Sequence, residues 1–218
     1  RDFCFSLVGA RDYKEFSKHI IDLQRPSINI AADIQDQVMD SNEFKSFCQH
    51  DGWVSLASEV LGIPNEECII VFPHFRIDLP KNFTSNNQTM LLPWHQEASY
   101  FLNMGNCSPS SIVLSTYLHD CQSDCGAMEI GSNATDELLN HDKQFMDPAN
   151  SRFLRMSCKE PSEFRVMETR YGETIIFDFH KPHRSGLNST SDSVRLTLLL
   201  RASAKKDVER FAKSGCAV

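Results

Sequence analysis

The feature that most restricts the fold of this chain is a series of short strand-like segments that begins at residue 68. Segment 68–80 is first apolar and β-branched, and then its apolar and charged side chains alternate from Phe75 to Leu79. Such alternation predicts a strand, because successive strand side chains point to opposite faces. Many short strands separated by turn residues favour a double-sheet β architecture. Further strand candidates follow at 90–97, 111–119, 126–131, 164–168, 173–179 and 194–202.

The first 66 residues have a helical pattern instead. Tyr13, Phe16, Ile20 and Leu23 recur at helical spacing, and Pro26 is expected to end that helix. We expect the helices of this part to pack on the outside of the sheets.

Two other segments, 41–62 and 203–218, are predicted to be helical, with Gly62 as the end signal of the first. Segment 134–145 predicts a short helix or a loop excursion. Because the chain is long enough to bury one sizeable core, we predict a single domain. That domain comprises a helical lead over 1–66, a jelly-roll core over 67–202 and a C-terminal helix over 203–218.

The composition excludes two classes of partner. The formal net charge is −7 at pH 7 and no basic run occurs, which excludes a nucleic-acid footprint. Because no apolar stretch of about 18 residues is present, a membrane span is not predicted. We therefore expect a soluble protein that acts on a small molecule.

The eight cysteines are scattered and form no Cys-x-x-Cys pair. A chain of this size does not depend on disulfides, so we expect free thiols in a reducing, cytoplasmic compartment. No secretory leader is present, and Arg1 is not an initiator methionine, which predicts a trimmed or partial chain.

The segment "PWHQEASYF" places a histidine and a carboxylate, His95 and Glu97, two residues apart. On an extended chain these two side chains share one face. A single strand histidine is more often a core residue than a metal ligand. The pair therefore indicates a metal site only if a further imidazole converges on it.

Two candidates for that imidazole, His180 and His183, follow the apolar strand at 173–179. Arg195 comes later, in a segment that is otherwise Val, Leu and Thr, and Thr197 shares its face. Two histidines and one carboxylate form the facial triad of non-heme Fe(II) oxygenases. A buried guanidinium is costly without an anion, and its planar fork matches a carboxylate. The combination indicates iron together with a dicarboxylate co-substrate.

These motifs resemble those of the phytanoyl-CoA dioxygenase family of Fe(II)/2-oxoglutarate-dependent oxygenases. The resemblance covers roughly residues 44–201 and rests on "PWHQEASYF", "DCGAMEIGSN" and "HRSGLNSTSDSVRLT". It implies a mainly β fold with flanking helices, namely a double-stranded β-helix or cupin-like jelly roll. His183 fits the family pattern better than His180, because Ser185 and Asn188 follow it at the family's spacing.

The resemblance also implies roles for individual residues. His95, Glu97 and His183 would hold Fe(II). Arg195 would bind the distal carboxylate of 2-oxoglutarate. Ser185 and Thr197 would hydrogen-bond the same carboxylate, Arg76 or Ser115 would help at the 2-oxo acid end, and Tyr100 would line the substrate cavity.

The reaction implied by the resemblance consumes O₂ and 2-oxoglutarate, releases succinate and CO₂, and hydroxylates an unactivated C–H bond of a small-molecule metabolite. The hard chemistry belongs to the metal, while the protein supplies geometry and a dry pocket. Because Glu97 keeps a carboxylate in the acid position, hydroxylation is favoured over halogenation, while desaturation and ring formation stay open as alternatives. No sequence signal selects among a CoA ester, a free metabolite and a sugar-containing intermediate.

The chain departs from the family pattern in two places. Glu97 stands where Asp is usual, and its longer side chain must fold back to reach the same point. Cys125, Ile130 and Asn133 replace the Asn, Pro and His of the middle segment. Two alternatives stay open. Arg195 could pair with an internal acid, and the fold could be a cupin-type metal-binding jelly roll with a non-oxidative or purely binding role.

Overall fold

The helices lie in the first part of the chain and most of the strands in the rest. The computed structural model describes residues 1–24, 29–83, 91–101, 111–132, 137–145 and 154–207. The α-helices are α1 Asp2–Ser6, α2 Tyr13–Leu23, α3 Ile30–Asp40, α4 Asn42–Cys48, α5 Asp51–Leu61 and α6 Ala98–Phe101, with 3-10 turns at Asn65–Glu67 and Lys81–Phe83. The strands are β1 Cys68–Asp78, β2 Ile112–Tyr117, β3 Glu129–Gly131, β4 Asp142–Phe145, β5 Leu154–Ser157, β6 Phe164–Val166, β7 Thr174–Asp178, β8 His183–Arg184 and β9 Arg195–Ala204.

The predicted helix over 41–62 is two helices, α4 and α5. The break falls at His50, whose Nδ1 accepts a hydrogen bond from the backbone N–H of Gly52 at 3.1 Å and so caps α5. Gly62 ends α5 in the left-handed conformation, with φ at 65°, as the sequence predicted.

The strands form three antiparallel sheets. The first has the order β1-β9-β2-β7, the second β6-β3-β8, and the third pairs β4 with β5. In the ladder between β1 and β9, Asp78 lies opposite Arg195 and Arg76 lies opposite Thr197. A bulge at 71–74 shifts the register of β1.

Two apolar clusters lie on opposite faces of the four-stranded sheet. Because strand side chains alternate, Leu196, Leu198 and Leu200 of β9 pack against the helices. Arg195 and Thr197 face the opposite side and line a cavity. The cluster on that side joins the two larger sheets and includes Val113, Tyr117, Ile175 and Phe177 with Met128 and Ile130. This jelly-roll architecture, mainly antiparallel β with flanking helices, confirms the predicted fold class.

The strand predicted over 90–97 is wrong. Residues 91–97 are irregular apart from one isolated bridge between His95 and His183, and Pro93 has no N–H to donate to a ladder. The prediction over 134–145 is also wrong in part, because residues 142–145 form β4, paired with β5. Residues 134–136 lie outside the described part of the chain. Strands β5 and β8 were not predicted from the sequence.

The last strand continues further than predicted, and the helix that follows it begins at residue 205 rather than at 203. Strand β9 continues through Ala204, which pairs with Cys68, and residues 205–207 are helical. The remainder of the predicted C-terminal helix, 208–218, lies outside the described residues.

Across the described ranges, no helix combines the length and the apolar character that crossing a bilayer requires. Six of the cysteines carry free thiols, namely Cys4, Cys48, Cys68, Cys121, Cys125 and Cys158.

Candidate metal centre

The centre of the candidate site is a pair of histidines joined through their backbones. The N–H of His95 donates to the carbonyl of His183 at 3.0 Å, and the N–H of His183 donates back at 2.9 Å. Their ring centroids are 4.2 Å apart. Glu97 follows at the turn into α6, and one ligand atom from each of the three residues lies within 4.8 Å of the others. All three side chains are buried.

Backbone carbonyls fix the orientation of both imidazoles. Nδ1 of His95 lies 2.7 Å from the carbonyl oxygen of Pro93. Nδ1 of His183 lies 2.9 Å from the carbonyl oxygen of Lys181. Because a carbonyl oxygen only accepts, each Nδ1 carries the proton and each Nε2 keeps its lone pair. Both Nε2 atoms therefore fit the role of metal ligand.

The electrostatics of the site favour a cation. Burial lowers the pKa of His95 to about 3, and the nearby charge of His183 acts in the same direction. Burial also lowers the pKa of His183. For Glu97, burial acts to raise the pKa, but Arg201 and the two histidines outweigh it and lower the pKa to about 2. Neutral imidazoles and an ionised carboxylate are the protonation states that bind a divalent metal.

Arg201, which was not among the predicted site residues, contacts the carboxylate of this centre. Its Nη2 donates to Oε1 of Glu97 at 2.7 Å, and its Nη1 donates to the carbonyl of Phe72 at 2.8 Å. Phe72 lies in the bulge of β1 with φ at 47°, a conformation that is uncommon outside glycine. The bulge thus places a carbonyl beside Arg201, which in turn holds Glu97.

Arg195 is buried and paired with Asp78. Its Nε and Nη2 donate to Oδ2 of Asp78 at 3.1 and 2.7 Å, and its Nη1 donates to the carbonyl of Gly126. The other oxygen of Asp78 accepts from Nη2 of Arg76 at 2.6 Å. Burial acts to raise the pKa of Asp78, but the two guanidinium groups outweigh it and lower the pKa. Arg195 therefore pairs with an internal acid, which was one of the alternatives left open from the sequence. Arg76, Asp78 and Arg195 form a trio of charged side chains with one net positive charge.

Two buried hydroxyls on the inner face of the four-stranded sheet have no hydrogen-bond partner among the described residues. They are Oγ1 of Thr197 and Oγ of Ser115. Thr197 lies opposite Arg76 across the β1–β9 ladder and Ser115 lies on the neighbouring strand. Because a buried hydroxyl without a partner is unfavourable, these atoms indicate a place for a polar ligand.

One cavity joins these groups. Its lining includes the three candidate ligands together with Arg76, Ser185, Arg195, Thr197 and Arg201. Ser115 and Tyr100 do not line it. The ring of Tyr100 meets His95 edge-on at 5.6 Å, and its hydroxyl accepts from the N–H of Met156 at 3.1 Å. The ring of Tyr100 thus packs against the ring of His95, and its contact with substrate stays a prediction.

Gln96, between the two candidate ligands, has a structural role. Its Oε1 accepts from the N–H of Leu139 at 2.8 Å, and its Nε2 donates to the carbonyls of Glu137 and His180. These bonds attach segment 137–139 to the site. His180 joins this network through its backbone, whereas His183 lies beside His95 and Glu97.

Asp78 and Arg201 are the residues of the site that the sequence analysis missed. Asp78 follows Arg76 by two residues, and Arg201 follows Arg195 by six. In strands, an even separation places side chains on the same face. The even separation of Asp78 from Arg76, and of Arg201 from Arg195, could therefore have placed both residues on the face of the site.

The fold and the site together define a class of protein. An antiparallel jelly roll with two imidazoles and one carboxylate at one buried point is typical of mononuclear non-heme iron oxygenases. The chain belongs to the phytanoyl-CoA dioxygenase family (PhyH), whose family model matches residues 21–196. The cofactors of this family are Fe(II), 2-oxoglutarate and O₂. The available Nε2 atoms fit the first of these groups, and the unpartnered hydroxyl of Thr197 in the cavity wall fits the second.

Solved structures support the fold. EvdO2 from Micromonospora carbonacea var. aurantiaca, complexed with 2-oxoglutarate, is 22% identical with a TM-score of 0.52, over 78% of this chain and 63% of that one. The epimerase SnoN, in complex with Fe³⁺, alpha ketoglutarate and nogalamycin RO, is 17% identical with a TM-score of 0.54, over 78% and 61%. The non-heme monooxygenase ThoJ is 12% identical with a TM-score of 0.55, over 88% and 66%. This chain therefore spans less than two thirds of the length of each. A comparison with curated proteins finds no match.

Proposed function

We propose that this protein is an Fe(II)- and 2-oxoglutarate-dependent dioxygenase that hydroxylates an unactivated C–H bond of a small-molecule metabolite. The observation that carries the proposal is the convergence of His95, Glu97 and His183 at one buried point. Apolar side chains would fill this space at lower free energy, because buried polar and charged groups are unfavourable without a partner. A bound cation supplies that partner.

A different hydrogen-bond partner orients each of the three candidate ligands. His95 and His183 bind through Nε2, since Nδ1 of each is held by a carbonyl. Glu97 binds through Oε2, since Arg201 holds Oε1. When bound, the iron supplies the O₂ and C–H chemistry, with 2-oxoglutarate oxidised to succinate and CO₂. The protein would contribute three fixed donors to the iron, and the co-substrate would complete its coordination.

The distal carboxylate of 2-oxoglutarate binds beside the trio of Arg76, Asp78 and Arg195. The net positive charge of this trio, together with a divalent ion, complements a dianion. Oγ1 of Thr197, which lines the cavity and has no hydrogen-bond partner among the described residues, donates to a bound carboxylate oxygen, which removes the energetic cost of leaving that hydroxyl without a partner. Ser185 adds a hydroxyl at the cavity wall.

The proposed outcome, hydroxylation, rests on this chain rather than on its relatives. SnoN is an epimerase and ThoJ a monooxygenase, so one fold supports different outcomes. Glu97 occupies the position of the acidic ligand, which leaves no ligand position for a halide. Hydroxylation then requires only a C–H bond held beside the iron.

Succinate formation by the full chain, supplied with Fe(II), 2-oxoglutarate and O₂, tests the proposal. The substrate panel contains CoA esters, free metabolites and sugar-containing intermediates. We expect one class to stimulate succinate release and to give a product heavier by one oxygen atom. A product with the mass of the substrate would indicate epimerisation instead. Binding of 2-oxoglutarate without its consumption would overturn the enzymatic proposal.

His183→Ala and His180→Ala form a matched pair for the ligand assignment, because both histidines are buried and close in sequence. We expect His183→Ala to reduce succinate formation to background and His180→Ala to retain most of it. Glu97→Ala is expected to behave like His183→Ala. Full turnover in either ligand variant would contradict the assignment.

A further inference from the structure

A second cluster of reactive side chains lies outside the candidate metal centre. Sγ of Cys121, Sγ of Cys125 and a ring nitrogen of His119 lie within 4.8 Å of one another. All three residues are buried, and Cys125 keeps 6% of its surface exposed. The intervening turn residues 122–124 are exposed.

His119 cannot serve this cluster as a metal ligand without losing bonds that it already makes. Its Nδ1 donates to the carbonyl of Asp120 at 2.7 Å, and its Nε2 accepts from the N–H of Leu196 at 3.0 Å. Its ring is also stacked on Tyr13, with 4.5 Å between centroids. Two sulfur atoms then remain, which is too few for a structural zinc site.

The two thiols differ in character. The neighbouring thiol of Cys121 lowers the pKa of Cys125, and the nearby Tyr13 and Arg195 act in the same direction, against the effect of burial. The proximity of Cys125, together with burial, raises the pKa of Cys121. Cys125 is therefore the better nucleophile of the pair, and Cys121 holds the proton.

We propose that Cys121 and Cys125 form a redox modification site, which hydrogen peroxide converts from a dithiol to a disulfide. The sulfur of Cys125 attacks one peroxide oxygen, the O–O bond breaks, and a sulfenic acid forms with release of water. The thiol of Cys121 then attacks that sulfur, an S–S bond forms, and a second water leaves. In sum, two thiols lose two electrons and two protons, and one peroxide is reduced to two waters.

The disulfide affects Arg195 through the backbone that follows Cys125. A disulfide requires the two sulfurs to approach to about 2.05 Å. Cys121 is bonded to the backbone of Thr169 at 2.8 and 3.0 Å, and Cys125 forms a bridge with Asn188, so the disulfide should shift the segments on both sides of the pair. The next residue, Gly126, supplies the carbonyl that accepts from Nη1 of Arg195.

Close packing transmits this shift towards the cavity. A Cβ atom on Gly126 would lie 2.8 Å from the carbonyl oxygen of Gly186 and 2.9 Å from the nitrogen of Asn188. The segment after Cys125 thus lies directly against the one that follows Ser185. The disulfide should therefore weaken 2-oxoglutarate binding roughly tenfold, as expected for one lost hydrogen bond to a charged group. This effect rests on the proposed function, whereas the disulfide does not.

Peptide mapping tests the modification directly. The full chain is reduced, freed of reductant and exposed to hydrogen peroxide without added iron. Cleavage before aspartate separates peptide 120–123, with Cys121, from peptide 124–135, with Cys125. We expect a linked pair of these peptides that dithiothreitol separates. Two unlinked peptides with free or separately oxidised thiols would overturn the proposal.

Matched variants test the effect on binding. Cys48→Ala, at a buried thiol of α4, should still form the link and should lose 2-oxoglutarate affinity on oxidation, as the wild type does. Cys125→Ala should form no link and keep its affinity after peroxide treatment. A linked protein with unchanged affinity would overturn the coupling to Arg195. If the reduced protein binds no 2-oxoglutarate, the proposed function fails while the peptide map still decides the disulfide.

Discussion

Arg201 holds Oε1 of Glu97 through a 2.7 Å hydrogen bond from its Nη2. The carbonyl of Phe72 accepts from the other end of the same guanidinium at 2.8 Å. A glutamate has one more rotatable bond than the aspartate usual at this position, so its carboxylate has more orientations to lose on metal binding. We infer that Arg201 compensates for this freedom by fixing the carboxylate in advance.

Arg201→Gln should therefore weaken metal binding. Partners that orient metal ligands typically change affinity 10- to 100-fold, and we expect roughly that loss here. Titration with Co(II), followed by its visible absorption, measures the dissociation constant without turnover. An unchanged constant would show that the contact with Glu97 does not assist the metal.

A double-mutant cycle isolates this contact from general effects of Arg201. Glu97→Asp shortens the side chain by one methylene and withdraws the carboxylate from the guanidinium. In that background, Arg201→Gln should change metal affinity much less than in the wild type, with a coupling of about 1–3 kcal/mol. Equal effects in the two backgrounds would argue against a direct role.

The hydroxyl of Thr197 allows an effect on co-substrate binding to be distinguished from an effect on stability. Thr197→Val removes a buried polar atom that lines the cavity and makes no protein hydrogen bond. This variant should leave the free energy of unfolding within about 0.5 kcal/mol of the wild type, while the dissociation constant for 2-oxoglutarate rises roughly tenfold. Urea unfolding and calorimetric titration measure the two quantities.

Thr116→Val is the matched control. Oγ1 of Thr116 lies 2.7 Å from Oγ1 of Thr174, on the other side of the same sheet. This variant should lose about 1 kcal/mol of stability without a change in 2-oxoglutarate affinity. The opposite pattern would remove Thr197 from the co-substrate site.

The sequence predicts those parts of the fold that local interactions determine. The end of α5 at Gly62 follows from one residue, and β2, β3, β6 and β7 fall inside the predicted segments because a short strand-like run between turn residues is a local signal. The break at His50 was missed, because a histidine that caps a helix leaves no periodic signal. The family's fold class followed from the motifs.

The convergence of His95, Glu97 and His183 was predicted from the sequence, whereas Asp78, Arg201 and the geometry of the site were not. His95 and Glu97 were expected to share a face of a strand, yet residues 91–97 form no strand. A backbone bridge to His183 and the turn into α6 place them instead. The partners of Arg195 and Arg201 depend on the register of β1 and β9 and on a bulge at Phe72. No local pattern specifies the pairing of strands so distant in sequence.

Arg195→Leu should affect both stability and co-substrate binding. It leaves the buried Asp78 with Arg76 as its remaining charged partner, so we expect a loss of about 3 kcal/mol in the free energy of unfolding. The dissociation constant for 2-oxoglutarate should rise more than about tenfold, while that for Co(II) should change little. Similar changes for both ligands would count against a clamp.

Asp78→Asn separates these two effects of Arg195. Combined with Arg195→Leu, it removes the carboxylate that the first substitution leaves poorly compensated, so part of the lost stability should return. The affinity for 2-oxoglutarate should not return, because the guanidinium is still missing. Recovery of both quantities together would indicate that Arg195 acts only through the stability of the fold.

His119 should make the protein sensitive to mild acid. Burial lowers its pKa from 6.5 to about 4. Because the folded-state pKa lies below the unfolded-state one, the unfolded chain binds the proton first as the pH falls. The contribution of His119 to the free energy of unfolding should be fully present above pH 6.5. It should fall by up to about 3 kcal/mol between pH 6.5 and about 4, and then level off.

His119→Gln should be less stable than the wild type at neutral pH, because the imidazole forms hydrogen bonds with the backbones of Leu196 and Asp120. The free energy of unfolding of this variant should nevertheless decline less over the same pH range. Urea unfolding at pH 7, 5.5 and 4.5 measures the slope, and equal slopes in the variant and the wild type would contradict the assignment.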